Sequence, residues 1–149
     1  MNNFSYPATL TPDTQDGGYV VTFKDVPEAI TQGEDLEDVL SQAIDCLDEA
    51  IAGRISDNEI IPQPSPTHKG NYLIHLPPQT AIKAALYNAM LTNHSNTSEL
   101  AKRLNCDETK IHHLLDPYSV SEWLPMEAAL KALGYQLVIS SVTKISRYA

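Results

Sequence analysis

Apolar positions along the chain change their period several times, and each change marks an element. Phe4, Tyr6, Ala8 and Leu10 alternate with smaller or polar residues, as a half-buried strand requires. Pro7, which lacks a backbone donor, puts that strand at a sheet edge. Residues 13–18, DTQDGG, have turn chemistry, after which Tyr19, Val21 and Phe23 share one face of a second strand. The two strands make a hairpin, and AITQG adds a third short strand that stops at Gly33. From Asp35 the period becomes helical: Leu36, Val39, Leu40, Ala43, Ile44, Leu47, Ala50 and Ile51 fall on one face, with Asp35 as N-cap and an end near Gly53. Pro62, Pro64 and Pro66 favour an extended connector over 58–70. Tyr72, Ile74 and Leu76 then alternate as a short strand that returns to the N-terminal sheet, and Pro77 and Pro78 mark a boundary.

Beyond that boundary the period stays helical almost to the end. A helix over 79–91 turns Ile82, Leu86, Ala89 and Met90 inward. Residues 96–115 divide into two short amphipathic helices joined by a tight turn, the pattern of a helix-turn-helix. Asn96 caps the first and Glu99 reaches back to it as a capping box, while Leu100, Ala101 and Leu104 face inward and Lys102 and Arg103 outward. Asn105 tolerates the left-handed backbone that the reversal needs. Asp107 caps the second helix, whose inward residues are Ile111, Leu114 and Leu115 until Pro117 forbids continuation. A helix over 123–133 ends at Gly134, and the tail 135–142, YQLVISSV, alternates as a strand. A strand standing alone after helices leaves its backbone groups unpaired. It is therefore expected to pair with the same strand of a second copy, through Tyr135, Leu137, Val138, Ile139 and Val142, giving a homodimer or dimer of dimers.

The pattern thus predicts an α+β chain: a β-β-β-α-β domain over 1–76, connector included, followed by an all-α helix-turn-helix domain over 77–149 with a C-terminal dimerisation strand. A formal net charge of −9 argues against nucleic-acid binding until it is divided along the chain. Residues 1–69 hold thirteen acids against three bases, and residues 70–149 six acids against seven bases. The acidity belongs to the first half, which suits a basic partner, while the near-neutral second half is free to approach DNA. Glu37, Asp38, Asp45, Asp48 and Glu49, with Asp35 at the cap, leave the long helix with an almost purely negative outer surface. Cys46 and Cys106 sit in separate helical units, which argues against a disulfide framework and fits a reducing cytoplasm. No apolar stretch approaches the ~18 residues needed to span a bilayer, so no membrane partner is expected.

The outer face of the second short helix carries Glu108, Thr109, Lys110, His112 and His113. Lys110 can bond guanine acceptors or a phosphate, Thr109 can donate or accept, and Glu108 can accept from cytosine N4. With Thr97, Ser98 and Lys102 on the preceding helix, these residues form the expected DNA contact set. A metal-dependent nuclease would need converging carboxylates, for which Asp13, Asp16, Asp25 and Glu28 are the candidates by position. Asp13 and Asp16 lie in a turn and Asp25 at a strand end, so catalysis is not expected. His112 and His113 are separated by about 100° around their helix and do not share a ligand position. Neither a metal nor another cofactor is expected, and Met90 and Met126 read as core fillers.

The order of these elements, with the segments YPATLTP, GGYVVTFKDVPEAITQGED, IIPQPSP and ELAKRL around the acidic helix, resembles the HicB antitoxin family of bacterial toxin-antitoxin pairs. The likeness is to the subgroup with a C-terminal helix-turn-helix and covers nearly the whole chain. It implies that the first half is a partial RNase H-like module that binds and blocks a small basic mRNA-cleaving toxin, HicA. It also implies that the second half is similar to phage-repressor domains and represses the pair's own operon. The acidic residues from Asp35 to Glu49 named above are then the toxin-binding candidates. Asp35 stands where Thr or Ser is expected, yet it caps equally well. The recognition helix carries a single base, Lys110, beside Glu108, so DNA affinity would depend strongly on dimer formation. The alternative is a free-standing repressor whose N-terminal domain senses a small ligand.

Overall fold

The computed structural model describes residues 3–143; positions 144–149, the end of the predicted second domain, lie outside the described residues, as do the first two. The described residues divide into two compact units, one of 3–53 with 62–77 and Thr143, and one of 54–61 with 78–142.

In the first unit, β1 (Ser5–Pro12), β2 (Tyr19–Phe23), β3 (Ile30–Gly33) and β4 (Tyr72–His75) form one antiparallel sheet in the order β3-β2-β1-β4, and α1 spans Leu36–Ser56. Tyr6, Ala8, Val21, Phe23 and Ile74 are buried on one side of the sheet, and Val39, Ala43, Leu47 and Ile51 on one face of α1. Register follows from that pattern, because a one-residue slip would turn the buried set of a strand to water. Ala8 stands opposite Phe23, and Tyr6 opposite Ile74. The turn between β1 and β2 is held by the Asp13 carboxylate, which accepts from the N–H groups of Gln15 (3.0 Å) and Asp16 (3.2 Å). Those two donors favour the charged carboxylate and lower its pKa.

Two expectations for this unit are corrected. The strand carrying Pro7 is not an edge strand: β1 lies between β2 and β4. The ladder to β2 begins only at Ala8, so Pro7 is paired on one side alone, with Leu73 of β4, and its missing donor interrupts nothing. Ile44, placed inward by helical period, is 38% exposed on the acidic face of α1. The connector over 58–70 is in neither helix nor strand, as expected, and its second half is fastened to the first unit. The Tyr6 hydroxyl donates to the Pro62 carbonyl at 2.8 Å, and the Asp25 carboxylate accepts from both the N–H (2.8 Å) and the hydroxyl of Ser65.

The second unit is helical: α2 (Pro78–Thr92), α3 (Thr97–Leu104), α4 (Glu108–Leu115) and α5 (Trp123–Ala132). Ile82, Leu86, Ala89, Met90, Leu100, Ala101, Ile111, Leu114, Met126, Ala129, Leu130 and Leu133 make one buried cluster, which includes both methionines read as fillers. Each large aliphatic side chain in it is worth about 1.5–3 kcal/mol relative to exposure. At the end of α5, Gly134 adopts a positive φ of 89° and the Tyr135 N–H returns to the Leu130 carbonyl, the stop expected from sequence.

The predicted tail strand is not formed. Residues 135–143 are in no strand; Leu137 packs partly against the helical cluster, while Val138, Ile139 and Val142 are 63%, 69% and 94% exposed. The alternating pattern is present, but no neighbouring strand within the described residues supplies the hydrogen bonds that would extend it.

Candidate functional site

Helices α3 and α4 form the first candidate surface. Asn96 caps α3 by accepting from the Glu99 N–H at 2.8 Å, which is one half of the expected capping box. Asn105 closes α3 in the left-handed region (φ 51°, ψ 51°), as expected. Asp107 occupies the N-cap position of α4, but its side chain makes no capping hydrogen bond, which corrects the role given to it. Leu100, Ala101, Ile111 and Leu114 are buried between these helices and their neighbours. This leaves Ser98, Lys102, Glu108, Thr109, Lys110, His112 and His113 exposed and Thr97 half-buried. A surface groove of about 440 Å³ at the turn is lined by Ser98, Lys102, Asn105, Cys106 and Glu108 among others. Every residue of the expected DNA contact set therefore lies at the surface except Thr97, whose hydroxyl donates to Glu108 Oε1 at 2.5 Å.

Sequence reading missed the residue that fixes the far end of α4. Lys83 on α2 is fully buried. Its ammonium donates to the carbonyls of His113 (3.1 Å) and Asp116 (2.8 Å) and to the hydroxyls of Ser119 (3.3 Å) and Ser121 (2.8 Å). A cation at a helix C-terminus satisfies the last carbonyls and opposes the negative end of the helix dipole. Burial pushes the Lys83 pKa down, and the Asp116 carboxylate partly restores it. Gln79 braces the same loop by donating to the Ser121 carbonyl and accepting from its N–H. The signal in the sequence was a lysine placed between inward Ile82 and Leu86, which period alone cannot distinguish from a surface residue.

The acidic face of α1 is the second candidate surface. Asp35 accepts from the Asp38 N–H at 2.8 Å, so it caps as expected, and Asp38 accepts from the Glu34 N–H at 2.9 Å. Those two carboxylates hold the helix start. Glu37, Asp45 and Glu49 are exposed along the same helix. Asp48 is half-buried, and its Oδ1 is shielded from solvent with no hydrogen-bond partner among the described residues.

Two of the carboxylates weighed for nuclease chemistry have structural partners. Asp13 holds its turn and Asp25 holds Ser65, and among the described residues no group of three or more His, Cys, Asp or Glu is arranged to bind a metal. Both cysteines are free, and among the described residues no helix is long and apolar enough to cross a membrane.

Comparison with known proteins supplies what geometry does not. Residues 5–85 match the family described as "HicB_like antitoxin of bacterial toxin-antitoxin system". The chain is 38% identical over 137 residues to "Antitoxin HicB" of Escherichia coli K12, covering 92% of this chain and 99% of that protein. It is 34% identical over 140 residues to "Antitoxin HicB 1" of Photorhabdus laumondii, covering 94% and 88%. Against "Antitoxin HicB" of Pseudomonas fluorescens the identity is 29% over 125 residues, covering 83% and 86%.

Proposed function

Because the chain belongs to the HicB-like antitoxin family of bacterial toxin-antitoxin systems, we propose that its two units divide the work between a protein partner and DNA. The first unit, a partial RNase H-like module, binds a small basic HicA-type toxin and masks its RNA-binding surface. The second is a helix-turn-helix module that occupies the operator of its own operon, with α4 as the recognition helix. In neither role does the protein act as an enzyme, and it works in the cytoplasm. The observation that carries the reading is the chemical contrast between the two exposed surfaces. On α1, Ile44 is exposed on a helix that also exposes Glu37, Asp45 and Glu49, a combination of apolar and negative surface that fits a basic protein face. On α4, the exposed residues are hydrogen-bonding side chains of mixed charge, the type that reads base edges.

The tail supports self-association. Val138, Ile139 and Val142 expose apolar surface on a segment that belongs to no strand among the described residues, and a matching strand from a second copy would cover it. Such a dimer places two recognition helices about 34 Å apart on one face of a duplex.

One experiment tests masking and dimerisation together. The full chain and a chain ending at Gly134 are each mixed with the small basic protein encoded by the neighbouring reading frame, then with duplex from the promoter of the pair. Both chains should suppress RNA cleavage by that protein, because α1 is intact in each. The full chain should bind the duplex at least tenfold more tightly than the shortened one, since linking two half-site contacts raises affinity by that order or more. Unimpeded RNA cleavage would refute masking, and equal duplex affinity would refute the tail dimer.

A further inference from the structure

We infer that Glu108 is a specificity-determining residue which reads the exocyclic amine of a cytosine in the major groove, its carboxylate aimed by Thr97. The inference rests on the DNA-binding reading of α3 and α4 and adds a base identity to it. Thr97 and Glu108 are the first residues of their helices, and the Thr97 hydroxyl donates to Glu108 Oε1 at 2.5 Å across the turn. His112 Nε2 approaches the same oxygen, at 3.8 Å. The Thr97 bond alone is within hydrogen-bond distance, and it orients the carboxylate through Oε1 with Oε2 left to accept. Glu108 itself is exposed at the N-terminal end of α4, the end that meets base edges when such a helix enters the major groove.

The chemistry then selects the base. An ionised carboxylate only accepts, so it can bond the donors of the major groove, which are cytosine N4 and adenine N6. Adenine presents the N7 acceptor beside N6 and repels the carboxylate, whereas cytosine has no acceptor on its own major-groove edge. Guanine and thymine offer that position an acceptor. Glu108 also carries negative charge toward the phosphates, so it opposes non-specific binding while it favours one base.

Those two effects have opposite signs, which separates a reader of bases from a residue that merely ties α3 to α4. Full-length wild-type protein, Glu108→Gln and Thr97→Val are each used to select from a library of random duplexes, and their affinity for a non-selected duplex is measured alongside. Wild type should enrich cytosine at one position of each half-site, by a factor on the order of ten over the other bases. With Thr97 still donating to the side-chain oxygen of Glu108→Gln, the free group becomes an amide N–H₂ donor. Cytosine preference should then give way to purine, whose N7 accepts, while affinity for the non-selected duplex rises. Thr97→Val, which keeps the shape and removes the hydrogen bond, should flatten the cytosine preference without gaining purine. Glu108→Gln selecting the same cytosine with unchanged strength overturns this inference and leaves DNA binding standing. A wild type that enriches no sequence overturns both.

Discussion

Lys83→Ala should destabilise the helical unit by about 4 kcal/mol, because it removes a buried four-carbon stem and the ammonium that four acceptors converge on. The stem is fully buried, on the helix that gives Ile82 and Leu86 to the main cluster, so a truncation leaves a cavity. The ammonium is the shared donor for the carbonyls of His113 and Asp116, so its loss loosens the C-terminal end of α4 and the loop after it. Ser119 and Ser121 retain hydroxyl contacts to the His113 carbonyl, at 2.9 Å and 3.3 Å, which limits the polar share of the cost. Lys83→Met keeps the stem and loses only the charge, so it should cost about 2 kcal/mol. Thermal unfolding of the three proteins reads the order, and amide exchange localises it to α4. A Lys83→Ala protein that melts with wild type would mean that the cluster contributes nothing to holding this helix.

Gly33→Ala should cost the first unit about 3 kcal/mol, the upper range for forcing atoms into packed space. A Cβ at Gly33 would lie 2.6 Å from both the N and the Cα of Val39, so the backbone of α1 itself must move. The same site meets the start of β2: a Cβ on Gly18, whose φ is +75°, would stand 2.2 Å from the Gly33 carbonyl. The end of β3, the start of β2 and the first turn of α1 are thus brought together by the absence of two side chains. Gly53→Ala in the same helix is the control with the opposite sign. There a Cβ meets nothing within 4 Å, and alanine in a helix interior is favoured over glycine by roughly 0.5–1 kcal/mol. Chemical denaturation should place Gly33→Ala below wild type and Gly53→Ala above it. A neutral Gly33→Ala would contradict the close approach.

These two sites also show where sequence stopped being informative. The strands and helices were legible wherever burial imposed a period: Tyr6 and Ala8 on β1, Val39 and Leu47 on α1, Ile111 and Leu114 on α4 all lie inward as read. Local chemistry was legible too, since Asn96, Asn105 and Gly134 end or begin helices through bonds to residues a few positions away. Long-range geometry was not. Gly33 was read as a strand breaker, whereas the structure uses it for contact with Val39. Lys83 was passed over because its acceptors lie 30 or more residues away. Pro7 suggested an edge because the rule concerns the donor it lacks, and the ladder that would have needed that donor begins one residue later. The tail kept its alternation and formed no strand, because a strand exists only beside another.

On the candidate surfaces, sequence identified which residues would be exposed and not how they are arranged. Glu108, Thr109, Lys110, His112 and His113 all lie outward on α4, but the Thr97 bond that orients Glu108 joins two helices and has no signature in either. On α1, a regular period assigned Ile44 to the core, whereas the helix leaves it partly exposed.

The division of labour between the two units is tested most directly by measuring two affinities on two full-length variants. Ile44→Asp should weaken binding of the proposed basic toxin by roughly tenfold or more, as loss of a buried apolar contact does, and leave affinity for the proposed operator duplex unchanged. Lys110→Ala should weaken the duplex by about tenfold and reduce its salt dependence, with binding of the basic protein unchanged. If either substitution weakens both partners alike, the two surfaces do not serve separate partners and the account is wrong.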